Sequence, residues 1–280
     1  MKRIFSLMLA ALVALPLLAE GKFTLSGAMN AFWAQRYSAI EPMADGEHFA
    51  RLGGGGKLIL KCSFKSGEVV DTIFNAATAR GFGNKSVQGY QFSPDESLIL
   101  VQTNTKSIYR RSYTADHYIY SRKNNKVTSL SDAARSNYGY DTMPSFSPDG
   151  TMIAFVRNNN IFIVKLLFNN SESQITTDGE FGKILNGIPD WVYEEEFSTN
   201  CSYDWSADSK VIAYIRYDES EVMNYDMPMY IPSTSKVEYD PYVAPYSYKY
   251  PVAGAPNSKV SVHTFDVKSR VTRELKLEIE

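Results

Sequence analysis

Phe92-Ser93-Pro94-Asp95-Glu96 recurs as Phe146-Ser147-Pro148-Asp149-Gly150, and a weaker copy, Trp205-Ser206-Ala207-Asp208-Ser209, follows at a similar interval. Pro42-Met43-Ala44-Asp45-Gly46 is a poorer fourth copy. Proline pre-sets φ at the second position of a tight turn, and Asp and Gly suit the later positions. The aromatic before the turn can plug the layer beneath. After each turn comes a β-rich run: Leu98–Gln102, Met152–Arg157 and Val211–Arg216. A second run follows over Tyr118–Ser121, Ile161–Leu166 and Val260–Phe265. A third closes each unit over Lys126–Leu130, Ser173–Thr176 and Arg270–Leu275. Asn158-Asn159-Asn160 and Lys123-Asn124-Asn125 separate runs, and Lys57–Phe74 repeats the theme around Lys65-Ser66-Gly67.

An antiparallel four-stranded unit repeating with one turn signature predicts an all-β fold, a partial β-propeller of about four four-stranded blades. A β-sandwich would also supply many short strands, but not the same aromatic-Ser-Pro-Asp turn at near-constant spacing. Composition agrees: 19 Tyr and 15 Phe favour a pleated, half-buried surface. A net charge of −2 argues against a nucleic-acid partner, which needs a basic stripe.

Residues 1–19 read as a secretory signal peptide: Lys2 and Arg3, then the apolar Ile4–Leu18, then the small Ala19. The apolar run falls short of the roughly 20 residues a spanning helix needs, and Pro16 lies near its end. No cysteine follows it, which argues against a lipid anchor. The chain is therefore expected to be exported, to the periplasm or beyond. Cys62 and Cys201 read as free thiols rather than a bridge. His48, His117 and His263 lack ligand-like spacing, so neither a metal site nor another cofactor is expected. Gly53-Gly54-Gly55-Gly56 reads as a flexible turn, since it lacks the Lys-Ser/Thr of a phosphate loop. Ser26–Gly56 carries the weakest pattern.

Three segments break the period: Thr103–Thr114 inside one unit, Phe181–Cys201 between two units, and Asp218–Asn257, rich in Tyr and Pro. Insertions on a regular scaffold commonly carry function. The second holds Asp190-Trp191-Val192-Tyr193-Glu194-Glu195-Glu196-Phe197. Asp190 can cap a short helix that follows Pro189. A bare acidic triplet reads most simply as a solvated loop. Flanking aromatics and the insertion position favour instead a held carboxylate pair, suited to an ammonium group with three donors and a full charge.

This segment resembles the double-Glu motif of the dipeptidyl peptidase IV family, serine exopeptidases with an N-terminal propeller and a C-terminal α/β-hydrolase domain. Tyr109-Arg110-Arg111-Ser112-Tyr113-Thr114-Ala115 resembles the family's propeller-borne arginine segment. Asn186-Gly187-Ile188-Pro189 and Tyr250-Pro251-Val252-Ala253-Gly254 fit it too, and the resemblance runs from about Met43 to Arg273 in one order. It implies that Glu195 and Glu196 grip the free α-amine of a peptide substrate. Arg110 is implied to help hold the substrate carbonyl region and the acids, with Arg111 its neighbour and Glu194 serving local structure. It further implies release of N-terminal Xaa-Pro or Xaa-Ala dipeptides, and homodimerisation through the 218–257 excursion. The competing expectations are a non-catalytic envelope propeller that binds peptides or partner proteins, and a glycosidase. Adjacent glutamates do not suit the latter, whose acids must flank the bond.

No Gly-x-Ser-x-Gly elbow and no Ser/Asp/His order of a hydrolase occurs in the 280 residues. Residues 20–280 are thus expected to be the N-terminal portion of the propeller, from a truncated gene or the first part of a longer product. The catalytic domain would lie C-terminal to them, and the chain alone is expected to cut no Xaa-Pro chromogenic substrate.

Overall fold

A computed structural model describes residues 24–31, 40–131, 141–168, 170–229 and 244–276. The expected signal peptide lies outside the described residues. A short helix, α1 (Leu25–Ala31), belongs to a unit of its own, Met1–Ser38. The second unit, Ala39–Glu280, holds the sheets.

The first sheet joins β1 (Glu41–Pro42), β2 (His48–Gly53), β3 (Leu58–Ser63) and β4 (Val69–Asn75) in chain order. The second repeats that order with β5 (Gly89–Phe92), β6 (Leu98–Ser107), β7 (Tyr113–Ser121) and β8 (Lys126–Ser129). The third does so with β9 (Thr142–Phe146), β10 (Met152–Arg157), β11 (Asn160–Lys165) and β12 (Ser171–Gln174). All three are antiparallel meanders, the blades expected of a propeller. The fourth blade contains β13 (Ile184–Asn186), α2 (Trp191–Phe197), β14 (Tyr203–Trp205) and β15 (Val211–Asp218). The hairpin β16 (Asn224–Met229) and β17 (Ala244–Lys249) follows, and β18 (Lys259–Asp266) and β19 (Val271–Leu275) complete the sheet.

The repeated turn builds each blade the same way. Ser93, Ser147 and Ser206 each donate Oγ–H to the Asp two residues on, at 2.7, 2.6 and 2.7 Å. The next backbone N–H returns to the Ser carbonyl, from Glu96, Gly150 and Ser209 at 2.8 Å each. Those three residues have φ of 55°, 70° and 60°, the left-handed region that closes a tight hairpin with the strands' own twist. The fourth copy obeys the same rule, with Gly46 at φ 71° donating to the Met43 carbonyl. The aromatic before each turn ends an inner strand. Phe92, Phe146 and Trp205 each enter the core shared with the preceding blade.

The blades pack face to face, which is why β10 reads as a continuous apolar run. Ile153 and Phe155 face the second blade, while Met152, Ala154 and Val156 face the fourth. With a side-chain period of two, a strand covered on both sides needs apolar residues at every position. Its last residue, the buried Arg157, donates to Asp141 at 2.7 Å and to both oxygens of Glu172 at 2.9 and 3.0 Å.

The structure corrects three boundaries. Thr103–Thr114 is not an irregular insertion. It prolongs the β6–β7 hairpin, whose pairing resumes at Lys106↔Thr114 after a bulge. The closing strand of the third blade is Ser171–Gln174, two residues earlier than the pattern placed it. Most significantly, Phe181–Cys201 does not lie between two units. β13 and β14 pair with the same edge of β15, at residues 216–218 and 212–214, so they are one inner strand split by an excursion. Gly187 donates to Ile215 and its carbonyl accepts from Ser202, closing the neck where the chain leaves and rejoins the sheet.

Candidate functional site

The excursion from the split strand forms α2. Asp190 takes extended backbone (φ −74°, ψ 178°) and its Oδ1 accepts the Tyr193 N–H at 2.9 Å, the N-cap that its place before the apolar Trp191 and Val192 predicts. Its second oxygen accepts from Ser258. Trp191 packs at a tilt against Tyr250 with ring centroids 4.6 Å apart and lies 6.2 Å from Tyr248, so the β16–β17 arm braces the helix start. Of the excursion's other tyrosines, Tyr230, Tyr239 and Tyr242 lie outside the described residues.

The three glutamates of α2 diverge because successive helical residues point about 100° apart. Glu194 turns inward and is 1% exposed. Its Oε1 accepts the backbone N–H groups of Arg111 at 2.7 Å and Ser112 at 2.8 Å. These residues form the tip of the β6–β7 hairpin, so a buried carboxylate satisfies two donors of a loop 82 and 83 residues away in sequence. Glu195 is half-buried, and its Oε2 meets Arg110 Nε at 3.0 Å. Glu196 is exposed and makes no hydrogen bond or ion pair among the described residues. Of the residues singled out in sequence, Arg110 and Glu195 therefore meet as an ion pair, and Glu196, the next residue of α2, is exposed.

Two features escaped sequence reasoning. Arg111 donates Nη1 to the Glu194 carbonyl at 3.2 Å and Nη2 to Ser198 Oγ at 3.0 Å, while its own carbonyl accepts from Asn200 Nδ2 at 3.0 Å. Behind α2, a cavity of about 600 Å³ is lined by Tyr109, Trp191, Glu194, Glu219, Tyr248 and Lys249, among others. Burial pushes the Glu219 carboxyl up to about 7, the nearby Asp190 adding to the effect and Lys249 opposing it. Neither feature carries a local sequence signal, because each rests on pairings between distant segments. Cys62 and Cys201 are both free thiols. Among the described residues no helix is long and apolar enough to cross a membrane.

With this geometry in place, comparisons with known proteins bear on it. Residues 93–279 match the family model described as the dipeptidyl peptidase IV (DPP IV) N-terminal region. A probable dipeptidyl-aminopeptidase B of Coccidioides posadasii (strain C735) is 38% identical over 180 residues, covering 63% of this chain and 19% of that protein. One of Talaromyces marneffei is 31% identical over 265 residues, covering 88% of this chain and 29% of its own length. The crystal structure of Porphyromonas gingivalis dipeptidyl peptidase 4 superposes with a TM-score of 0.82 at 42% identity, over 92% of this chain and 35% of that one. A putative dipeptidyl aminopeptidase IV from Bacteroides ovatus shares the fold at 17% identity, with a TM-score of 0.52, over 87% of this chain and 31% of that one. The chain thus spans well under half the length of the relatives it matches.

Proposed function

Since this chain belongs to the dipeptidyl peptidase IV family, as its N-terminal region, we propose that α2 and the arginine hairpin form the clamp that takes the free α-amine of a peptide. The observation that carries this is the Arg110–Glu195 contact of 3.0 Å, with the exposed Glu196 next in sequence. Two carboxylates and one guanidinium leave one negative charge over, and an ammonium group supplies the complementary charge with three donors. Glu195 and Glu196 bind the amine. Arg110 balances the acids and reaches toward the substrate carbonyl region.

An amine anchor at a fixed place turns binding into a ruler. A peptide held by its N-terminus presents one particular peptide bond to a catalytic group at a set distance, and alignment of that kind is worth several kcal/mol of barrier. The bond would be cut by a Ser-Asp-His hydrolase domain of the larger protein, releasing Xaa-Pro or Xaa-Ala dipeptides. Export to the periplasm or beyond belongs to the same proposal, as does a homodimer through the 218–257 excursion.

The test is to titrate the chain with the free dipeptide Val-Pro and with its N-acetylated form, by calorimetry. Free Val-Pro should bind and the acetylated form should not. Glu195→Gln and Glu196→Gln should each weaken binding by about tenfold or more, since a hydrogen bond to a charged group is worth about 1.5–3 kcal/mol. Equal binding of the two forms would refute the amine clamp and leave a propeller that binds peptides by other features.

A further inference from the structure

An exposed ion pair does not place itself. The Arg110 side chain is 71% exposed. Surface pairs of this kind contribute little against the entropy of a long side chain. The hairpin that carries Arg110 is also thin at its tip, where the bonds across it are Ile108 N–H to the Ser112 carbonyl at 2.9 Å and Tyr109 N–H to Ser112 Oγ at 3.2 Å. Beside the Ser112 N–H on Glu194, what ties this tip to α2 is the next residue. Arg111 uses its backbone N–H, its carbonyl and both terminal guanidinium nitrogens on four separate atoms of the α2 segment.

Two of those contacts solve a problem of the helix itself. α2 has seven residues, so its stability must come from its ends and its packing. The last four carbonyls of a helix lack intrahelical partners, and Glu194 is the first of that set. Arg111 Nη1 supplies the missing donor there, and its positive charge sits at the helix end where a cation is favoured. Ser198, the C-cap in left-handed conformation (φ 57°), receives the other guanidinium nitrogen. One planar fork therefore stops the helix and fixes the hairpin against it.

We propose that Arg111 is a positioning residue of the amine clamp: by bolting the hairpin tip to the C-terminal end of α2 it fixes Arg110 opposite Glu195. This rests on the proposed function of Glu195. It gives the two adjacent arginines separate tasks, Arg110 facing the ligand and Arg111 facing the scaffold. Lysine at 111 would keep the charge but could not span a carbonyl and a hydroxyl with one rigid fork.

The experiment titrates Val-Pro into the full chain and its variants Arg111→Gln, Glu195→Gln and the two together, with thermal midpoints recorded alongside. Arg111→Gln should weaken binding about tenfold, a misplacement effect rather than a lost ligand contact. In the Glu195→Gln background the same change should weaken binding less than about twofold, because Arg110 no longer has the Glu195 carboxylate to be held against. Arg111→Lys should recover part of the loss. Should Arg111→Gln fold poorly, Ser198→Ala removes a single guanidinium contact and should still weaken binding two- to threefold. Wild-type affinity in both Arg111→Gln and Ser198→Ala would overturn the proposal. So would an equal loss in both backgrounds, the mark of general loosening. Unchanged binding in Glu195→Gln alone would overturn the clamp itself, and the positioning role with it.

Discussion

Arg157→Met tests what holds the third blade together. Arg157 is 4% exposed and faces two carboxylates, Asp141 at 5% and Glu172 at 10%. Its guanidinium also lies 5.0 Å from the Phe155 ring and 4.9 Å from Phe162. Methionine keeps much of the volume and apolar contact but leaves two buried carboxylates without their cation. Removing one partner of such a group costs about 3–5 kcal/mol, because the remaining charges cannot reach water. At a urea slope of about 3 kcal/mol/M, the midpoint should fall by more than about 1 M at pH 7. The deficit should depend on pH with a definite sign. Burial already holds the Asp141 carboxyl above its ordinary value, and the Arg157 hydrogen bond and charge are the main influence opposing that rise. Without the arginine the folded-state value climbs further. A carboxyl raised in the folded state stabilises the fold at low pH, and that contribution is lost as pH rises through the folded value. The variant should therefore lie closer to wild type at pH 5 than at pH 7, by urea melts followed with circular dichroism. Adding Asp141→Leu and Glu172→Met should restore most of the loss at pH 7. A deficit below about 1 kcal/mol at pH 7, or a larger one at pH 5, would refute the uncompensated-charge account.

Two further outcomes follow from the excursion. Gly187 closes the neck of the split strand at φ 75°, and a Cβ there would meet the Ile161 side chain at 2.9 Å. Gly187→Ala should cost about 1–3 kcal/mol of stability by thermal melt and weaken Val-Pro binding, whereas a neutral result would show that the neck relaxes freely. Glu219, raised to about 7, contributes stability that is complete below its unfolded-state value and fades as pH rises through about 7. The thermal midpoint should drop between pH 6 and pH 8, and Glu219→Gln should flatten that drop; an unchanged slope in the variant would rule out Glu219 as its source.

The residues proposed to form the amine clamp lie in the fourth blade's excursion and the second blade's hairpin. Its geometry depends on two blades that are not neighbours in chain order, which ties the clamp to correct assembly of the third blade between them.

The blades were readable from sequence because their cause is local. A Ser-Pro-Asp turn ending in a left-handed residue bonds within five positions, and a run such as Met152–Arg157 announces burial on both faces by composition alone. The N-cap at Asp190 is local in the same way. The motif also brought Glu195, Glu196 and Arg110 to notice, through resemblance rather than physics. Tertiary structure alone decided the rest. Nothing near residue 187 says that the inner strand of the fourth blade is split, because β13 and β14 are short and become one strand only along β15. Nothing near Arg110 and Arg111 distinguishes them, since both are cations on one hairpin tip. They part company only when α2, more than eighty residues away, offers a carboxylate to one and its closing turn to the other. Turn chemistry is written in adjacent residues, whereas the partner of a buried charge is set by which segments the packed sheets bring together.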